Sequence, residues 1–92
     1  MKKKISILGA TGSIGVSALS IIDKKKFFFN IVLLSSNKNF NLICKQIKKY
    51  KPKYYVINDL KIFNKVKKKF KKSKVKIINF FNFNDKNIKS EI

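Results

Sequence analysis

The sequence predicts an α/β fold in which alternating strands and helices build a parallel sheet. Three observations lead there. Short apolar runs of strand character alternate with stretches whose apolar residues recur at helical spacing. All three glycines of the chain fall in one heptapeptide, Gly9-Ala10-Thr11-Gly12-Ser13-Ile14-Gly15, between the first strand and the first helix. The second apolar run is almost continuous, as in a parallel strand covered on both faces. The resulting order, β-α-β-α-β-α-β, is one half of a doubly wound, Rossmann-like fold. It is expected over residues 1–81, with helices on the faces of the sheet.

Each element has its own justification. Lys4 to Leu8 reads as a strand, with Ile5 and Ile7 alternating with Ser6, and it ends at Gly9. Ile14, Ala18, Ile21 and Ile22 then fall on one helical face, and Lys24, Lys25 and Lys26 suit the negative end of that helix. Phe29 to Leu34 is the second strand, and Ser35 to Asn39 is a polar loop. Asn39 is a fit N-cap for a second helix with the stripe Phe40, Ile43, Cys44 and Ile47. Pro52 ends it, because the residue before a proline is driven out of helical geometry. Tyr54 to Ile57 is the third strand. Asn58 and Asp59 offer a cap for a third helix with the stripe Phe63, Val66 and Phe70. Its lysines (Lys65, Lys67, Lys68, Lys69, Lys71, Lys72) form a solvated face. Val75 to Phe81 reads as a fourth strand. Residues 82–92, rich in Asn and Lys without a period, are expected to be a disordered tail.

Composition bounds the function. Ninety-two residues make one domain at most. No run approaches the roughly 18 uninterrupted apolar residues of a membrane span. The apolar stretch after Lys2, Lys3 and Lys4 is too short and glycine-rich for a secretory signal. Cys44 has no second cysteine to pair with and no histidine to activate it, so it reads as a core residue. The formal charge of +19 invites a nucleic-acid reading. All 23 basic residues, however, are Lys, and the chain has no Arg, the residue suited to guanine edges and forked phosphate contacts. Lys, Asn, Ile and Phe together make 56 of the 92 residues, and all four share AT-rich codons. Drift of an AT-rich genome explains the charge better than selection does. Any nucleic-acid binding is expected to be non-specific and salt-sensitive.

The glycine heptapeptide carries the chemistry. Gly9 lets the strand turn, Gly12 lets a pyrophosphate approach the backbone, and Gly15 lets helix and strand pack closely. The amides from Thr11 to Ile14 face a phosphate from the positive end of the helix dipole, and Thr11 and Ser13 add hydroxyls. A strand before the loop and an amphipathic helix after it give the context that a bare glycine triplet lacks. The end of the second strand chooses the nucleotide. An NAD site wants a carboxylate there for the ribose 2′-hydroxyl. Ser35-Ser36-Asn37-Lys38-Asn39 has none and offers Lys38 to a 2′-phosphate. The reading is NADP(H).

The segment from Ile5 to Gly15 resembles the opening of the 1-deoxy-D-xylulose 5-phosphate reductoisomerase family, a strand followed by Gly-Ser-Thr-Gly-Ser-Ile-Gly. Asn37-Lys38-Asn39 resembles the family's Gly-Lys-Asn, and Lys51-Pro52-Lys53-Tyr54 its connector into the third strand. The resemblance covers residues 1 to about 80. It implies cofactor contacts from Thr11, Gly12, Ser13, Ile14, Asn37, Lys38 and Asn39, with NADPH as the cofactor. Gly9 and Gly15 join the expected cofactor site through the glycine loop itself. Ala10 stands where the family has Ser. Asn37 stands where it has Gly, a change that matters if that position needs positive φ.

The resemblance also implies a metal-assisted rearrangement and reduction of 1-deoxy-D-xylulose 5-phosphate to 2-C-methyl-D-erythritol 4-phosphate, in isoprenoid precursor synthesis by the methylerythritol route. With it come Mg²⁺ or Mn²⁺, a homodimer, and a bacterial cytoplasm or a plastid-type organelle. The family's acidic metal ligands and substrate-phosphate site have no counterpart here. The carboxylates after Asp59 are Asp85 and Glu91, and the chain has no catalytic or metal residue to nominate. The chain is therefore expected to be an amino-terminal fragment, inactive alone, with the sugar phosphate as partner only alongside a catalytic domain. Three alternatives stand beside it: a fragment of another NADP-dependent reductase, a small basic nucleic-acid-binding protein, and a decaying gene with no function. A short-chain reductase would need Tyr-x-x-x-Lys, which follows none of Tyr50, Tyr54 or Tyr55.

Overall fold

The computed structural model describes residues 3–25 and 27–79. The predicted tail, Phe80, Phe81 and Lys26 lie outside the described residues. The elements run β1 (Lys3–Ile7), α1 (Ser13–Lys24), β2 (Phe29–Ser36), α2 (Phe40–Tyr50), β3 (Tyr54–Ile57), α3 (Leu60–Lys69) and β4 (Lys76–Asn79). The four strands form one parallel sheet in the order β1-β2-β3-β4. The α/β, Rossmann-like half predicted from the sequence is the architecture found.

The helices depart from expectation in one respect. Each crossover steps to the next strand in the same direction, and right-handed crossovers then put every helix on the same face. Leu19 of α1, Ile43 and Ile47 of α2, and Phe63 and Val66 of α3 accordingly share one core with Ile7, Leu34, Tyr55 and Ile57 of the strands. Val32, Leu33, Tyr54 and Val56 form a separate cluster with Ile78. The described helices thus occupy one face of the sheet rather than both.

Within α1 the period is right and the phase is wrong. Ile14 and Ile21 are exposed, and Gly15 and Leu19 are buried, with Ala18 and Ile22 packed against the core. The cause is Gly15. A Cβ there would lie 2.2 Å from the Gly9 carbonyl oxygen and 2.8 Å from the Ala10 Cα. The helix presses its glycine onto the loop, and that contact sets its rotation.

Strand boundaries also shift. Leu8 lies beyond β1 and is exposed. Ser35 and Ser36 are not loop. They extend β2 and pair with Val56 and Ile57 of β3. β4 begins at Lys76, one residue after the predicted start, and Val75 precedes it as a buried core residue; the last two residues of the predicted strand lie outside the described residues. Cys44 is buried, as expected of a core residue.

The helix ends follow local chemistry. Asn39 Oδ1 accepts from the Leu42 amide and caps α2, and Asp59 Oδ1 accepts from the Ile62 amide and caps α3. α2 stops at Lys51, held in the left-handed region at φ 46 and ψ 55, immediately before Pro52. Glycine is the residue suited to that position. Lys51→Gly is expected to raise the midpoint of thermal unfolding by removing a strain of about 1 kcal/mol. A lower midpoint would show that the unfolded chain's added freedom outweighs the relief.

Candidate nucleotide-binding site

The carboxyl ends of β1 and β2 deliver two segments side by side. After β1 comes the glycine loop. Gly9 has φ +68, a conformation that other residues rarely adopt, and the Gly12 amide closes the turn onto the Gly9 carbonyl at 3.0 Å. After β2 come Asn37, Lys38 and Asn39, all exposed. The two segments are bound together through Ser35. Its carbonyl accepts from the Ala10 amide at 2.7 Å, and its hydroxyl accepts from the Gly9 amide at 3.3 Å. The expected site residues therefore meet at one end of the sheet, the end where open α/β sheets take ligands.

The amino end of α1 differs from those of α2 and α3. Its N-cap is Gly12, and no side chain bonds its first amides. Those N–H groups have no partner within the helix, and the positive end of the helix dipole lies with them. Gly12 itself has no internal reason to be glycine. Its φ is −77, and a Cβ there would come no nearer than 3.4 Å to the Gly9 oxygen. Gly9 is required by backbone conformation and Gly15 by helix packing, while the space at Gly12 stays open towards solvent. A phosphate group fits that cradle.

Thr11 is half-buried, Ser13 is exposed, and Ile14 is 86% exposed beside the loop. Asn39 spends Oδ1 on the α2 cap, which leaves its amide nitrogen as a donor. Positive φ among the described non-glycine residues is confined to Lys51, so Asn37 needs no glycine-like backbone. No carboxylate lies in the segment after β2. The described carboxylates are engaged elsewhere: Asp59 caps α3, and Asp23 pairs with Lys49 at 3.3 Å. The described residues contain no cluster of three His, Cys, Asp or Glu able to hold a metal ion. A cleft of about 610 Å³ lined by Lys51, Pro52, Lys53, Phe70 and Lys74 sits at the opposite end of the sheet, before β3 and β4, and is not where this topology binds nucleotides.

Sequence reasoning missed a buried polar chain under the loop. Gln46 of α2 is 4% exposed, and its Nε2 donates to the Ala10 carbonyl at 2.7 Å. Its Oε1 accepts from the Tyr55 hydroxyl at 2.6 Å. Ser36 Oγ lies 3.3 Å from that hydroxyl. The phenol has a single proton, already given to Gln46, so the serine hydroxyl is the donor in this last contact. Burial pushes the Tyr55 phenol up to about 12, against a lowering by the Ser36 bond and with a further rise from the Cys44 thiol. Stability tied to that proton is complete below about pH 10, the ordinary tyrosine value, and is lost as pH climbs towards about 12. The signal for Gln46 was present in the sequence: it sits three residues after Ile43, a polar residue in phase with an apolar stripe.

Comparison with known proteins agrees with this geometry. The family model for 1-deoxy-D-xylulose 5-phosphate reductoisomerase matches residues 5–87. The chain is 44% identical over 73 residues to the reductoisomerase of Buchnera aphidicola, covering 79% of this chain and 18% of that protein. Against the Pelagibacter ubique enzyme it is 43% identical over 79 residues, 86% of this chain and 20% of the relative. Among solved structures, the Zymomonas mobilis reductoisomerase in complex with NADPH superimposes with a TM-score of 0.80 at 29% identity, over 86% of this chain and 21% of that one. The chain thus spans about a fifth of the length of the relatives it matches. It belongs to the 1-deoxy-D-xylulose 5-phosphate reductoisomerase family.

Proposed function

We propose that this chain is the NADPH-binding portion of a 1-deoxy-D-xylulose 5-phosphate reductoisomerase, the enzyme that rearranges and reduces its substrate to 2-C-methyl-D-erythritol 4-phosphate. The observation that carries the reading is the uncapped amino end of α1 above an open Gly12. The amides of Ser13 and Ile14 bind the pyrophosphate, with Thr11 and Ser13 adding hydroxyl donors. Lys38, flanked by Asn37 and Asn39, meets the ribose 2′-phosphate with a positive charge. Ile14 offers an apolar surface at the mouth of the site. The cofactor supplies the hydride, and the residues of this chain bind and orient its nucleotide end.

β1 lies at the edge of the sheet. In a doubly wound fold the second half adds its strands at that edge, and the nucleotide lies across the crevice between the halves. The wall opposite the nicotinamide, the sugar-phosphate site and the divalent metal belong in this reading to the remainder of the enzyme. The described residues do not fit a metal site, and none of their chemistry runs through one. Among the described residues no helix is long and apolar enough to cross a membrane.

Fluorescence titration of the chain with NADPH and NADH tests the reading. NADPH is expected to bind more tightly, and Lys38→Ala should narrow the gap by removing the charge that meets the 2′-phosphate. Gly12→Val should abolish binding of both nucleotides, because its side chain would occupy the space of the pyrophosphate. Equal affinities for the two nucleotides in the unmodified chain would remove the NADP assignment. Undiminished binding by Gly12→Val would remove the phosphate loop.

A further inference from the structure

We infer that Gln46, Tyr55 and Ser36 are positioning residues that tie the phosphate loop to the segment meeting the ribose 2′-phosphate, so that the two halves of the nucleotide site are set by one buried chain of hydrogen bonds. The inference rests on the NADPH reading above. A glutamine amide and a tyrosine hydroxyl are seldom fully buried, and each must find partners inside the protein. Here Tyr55 is 0%, Ser36 3% and Gln46 4% exposed, and their polar groups find one another.

The direction of the chain is fixed by its ends. The Ala10 carbonyl can only accept, so Gln46 turns its Nε2 towards it and its Oε1 towards Tyr55. Tyr55 then donates to Gln46, and Ser36 donates to Tyr55. Every link donates towards the loop, and bonds aligned in this way polarise and strengthen one another.

The ends of the chain are what give it a role in binding. Ala10 is 0% exposed, and the peptide groups on either side of it are both held, its amide by the Ser35 carbonyl and its carbonyl by Gln46. Two residues later Gly12 opens α1. At the other end Ser36 is the last residue of β2, immediately before Asn37 and Lys38. None of the three positioning residues reaches the cofactor. They act by holding Ala10 and Ser36 at a fixed separation, and with them the amides that take the pyrophosphate and the lysine that takes the 2′-phosphate.

The test is a double-mutant cycle on the 92-residue chain, read by NADPH titration. Tyr55→Phe keeps the ring that fills the core and removes only the proton donor. Gln46→Leu keeps volume and removes both bonds. Tyr55→Phe is expected to weaken NADPH binding several-fold. The penalty of Lys38→Ala, about tenfold in the unmodified chain, should fall to about threefold or less when combined with Tyr55→Phe, as coupled residues require. A purely structural contribution would change the folded fraction but leave the two penalties multiplicative. Gln46→Leu, if it folds by circular dichroism, should behave like Tyr55→Phe with a larger loss. Multiplicative penalties, or full affinity in Tyr55→Phe, would overturn the positioning role while leaving the NADPH reading intact. An unmodified chain that binds no NADPH would overturn both.

Discussion

Gly15→Ala, the addition of a single methyl group, is expected to destabilise the fold severely. That Cβ would stand 2.2 Å from the Gly9 carbonyl oxygen, 2.9 Å from the Gly9 carbonyl carbon and 2.8 Å from the Ala10 Cα. All three are backbone atoms, and none is the end of a flexible side chain that could swing away. Gly9 and Ala10 cannot retreat cheaply either. Their amides are bonded to Ser35, and the Ala10 carbonyl is bonded to Gln46. Relief requires α1 to lift from the sheet, which would loosen Leu19 in the core. Overpacking of this kind costs about 1–3 kcal/mol and sometimes more. That is a large share of the 5–15 kcal/mol typical of whole domains. Gly12→Ala is the matched control, since its Cβ would meet nothing closer than 3.4 Å. Urea unfolding followed by circular dichroism should show a large drop in midpoint for Gly15→Ala and a small one for Gly12→Ala. Equal midpoints would mean that the helix does not pack on the loop as described.

The same contact explains where sequence reasoning stopped. The helical period of α1 was legible from Ala18 and Ile22, but its phase was not. Counting apolar side chains favours Ile14 and Ile21, whereas the contact that orients the helix is made by Gly15, a residue with no side chain to count. β3 was legible to the residue, because Tyr54 to Ile57 is bounded by the Pro52 connector and by the Asp59 cap. The end of β2 was not, because serines look like loop when their backbone pairing to Val56 and Ile57 is out of view. The glycine turn between β1 and α1 could be read because its glycines stand in sequence order. The Ser36, Tyr55 and Gln46 chain joins residues up to 19 positions apart, and only parallel pairing of β2 with β3 beneath α2 brings them together. Which face the helices take was also out of reach, since it depends on strand order and not on the period of any one segment.

The second large effect concerns turnover. The purified 92-residue chain, given NADPH, 1-deoxy-D-xylulose 5-phosphate and Mg²⁺, is expected to leave nicotinamide absorbance unchanged. Reduction of a sugar phosphate needs a hydride donor held against a polarised carbonyl, with the substrate phosphate anchored nearby. On the proposed reading the chain supplies a cradle for the nucleotide end of the donor, and its described residues offer little else. It has four carboxylates and no histidine, and the two described carboxylates serve a helix cap and an exposed ion pair. Oriented binding of two reactants is worth effective concentrations of about 10⁵ M or more, so a site that binds one of them forfeits nearly all of the acceleration. A separately purified polypeptide corresponding to the rest of a relative's length should restore activity if it adds strands at the β1 edge and closes the crevice. Restored activity should then vanish with Gly12→Val, which ties the turnover to this chain's loop and not to a contaminant. Turnover by the 92-residue chain alone would falsify the division of labour, because residues within it would then be doing chemistry that neither its carboxylates nor its loop can account for.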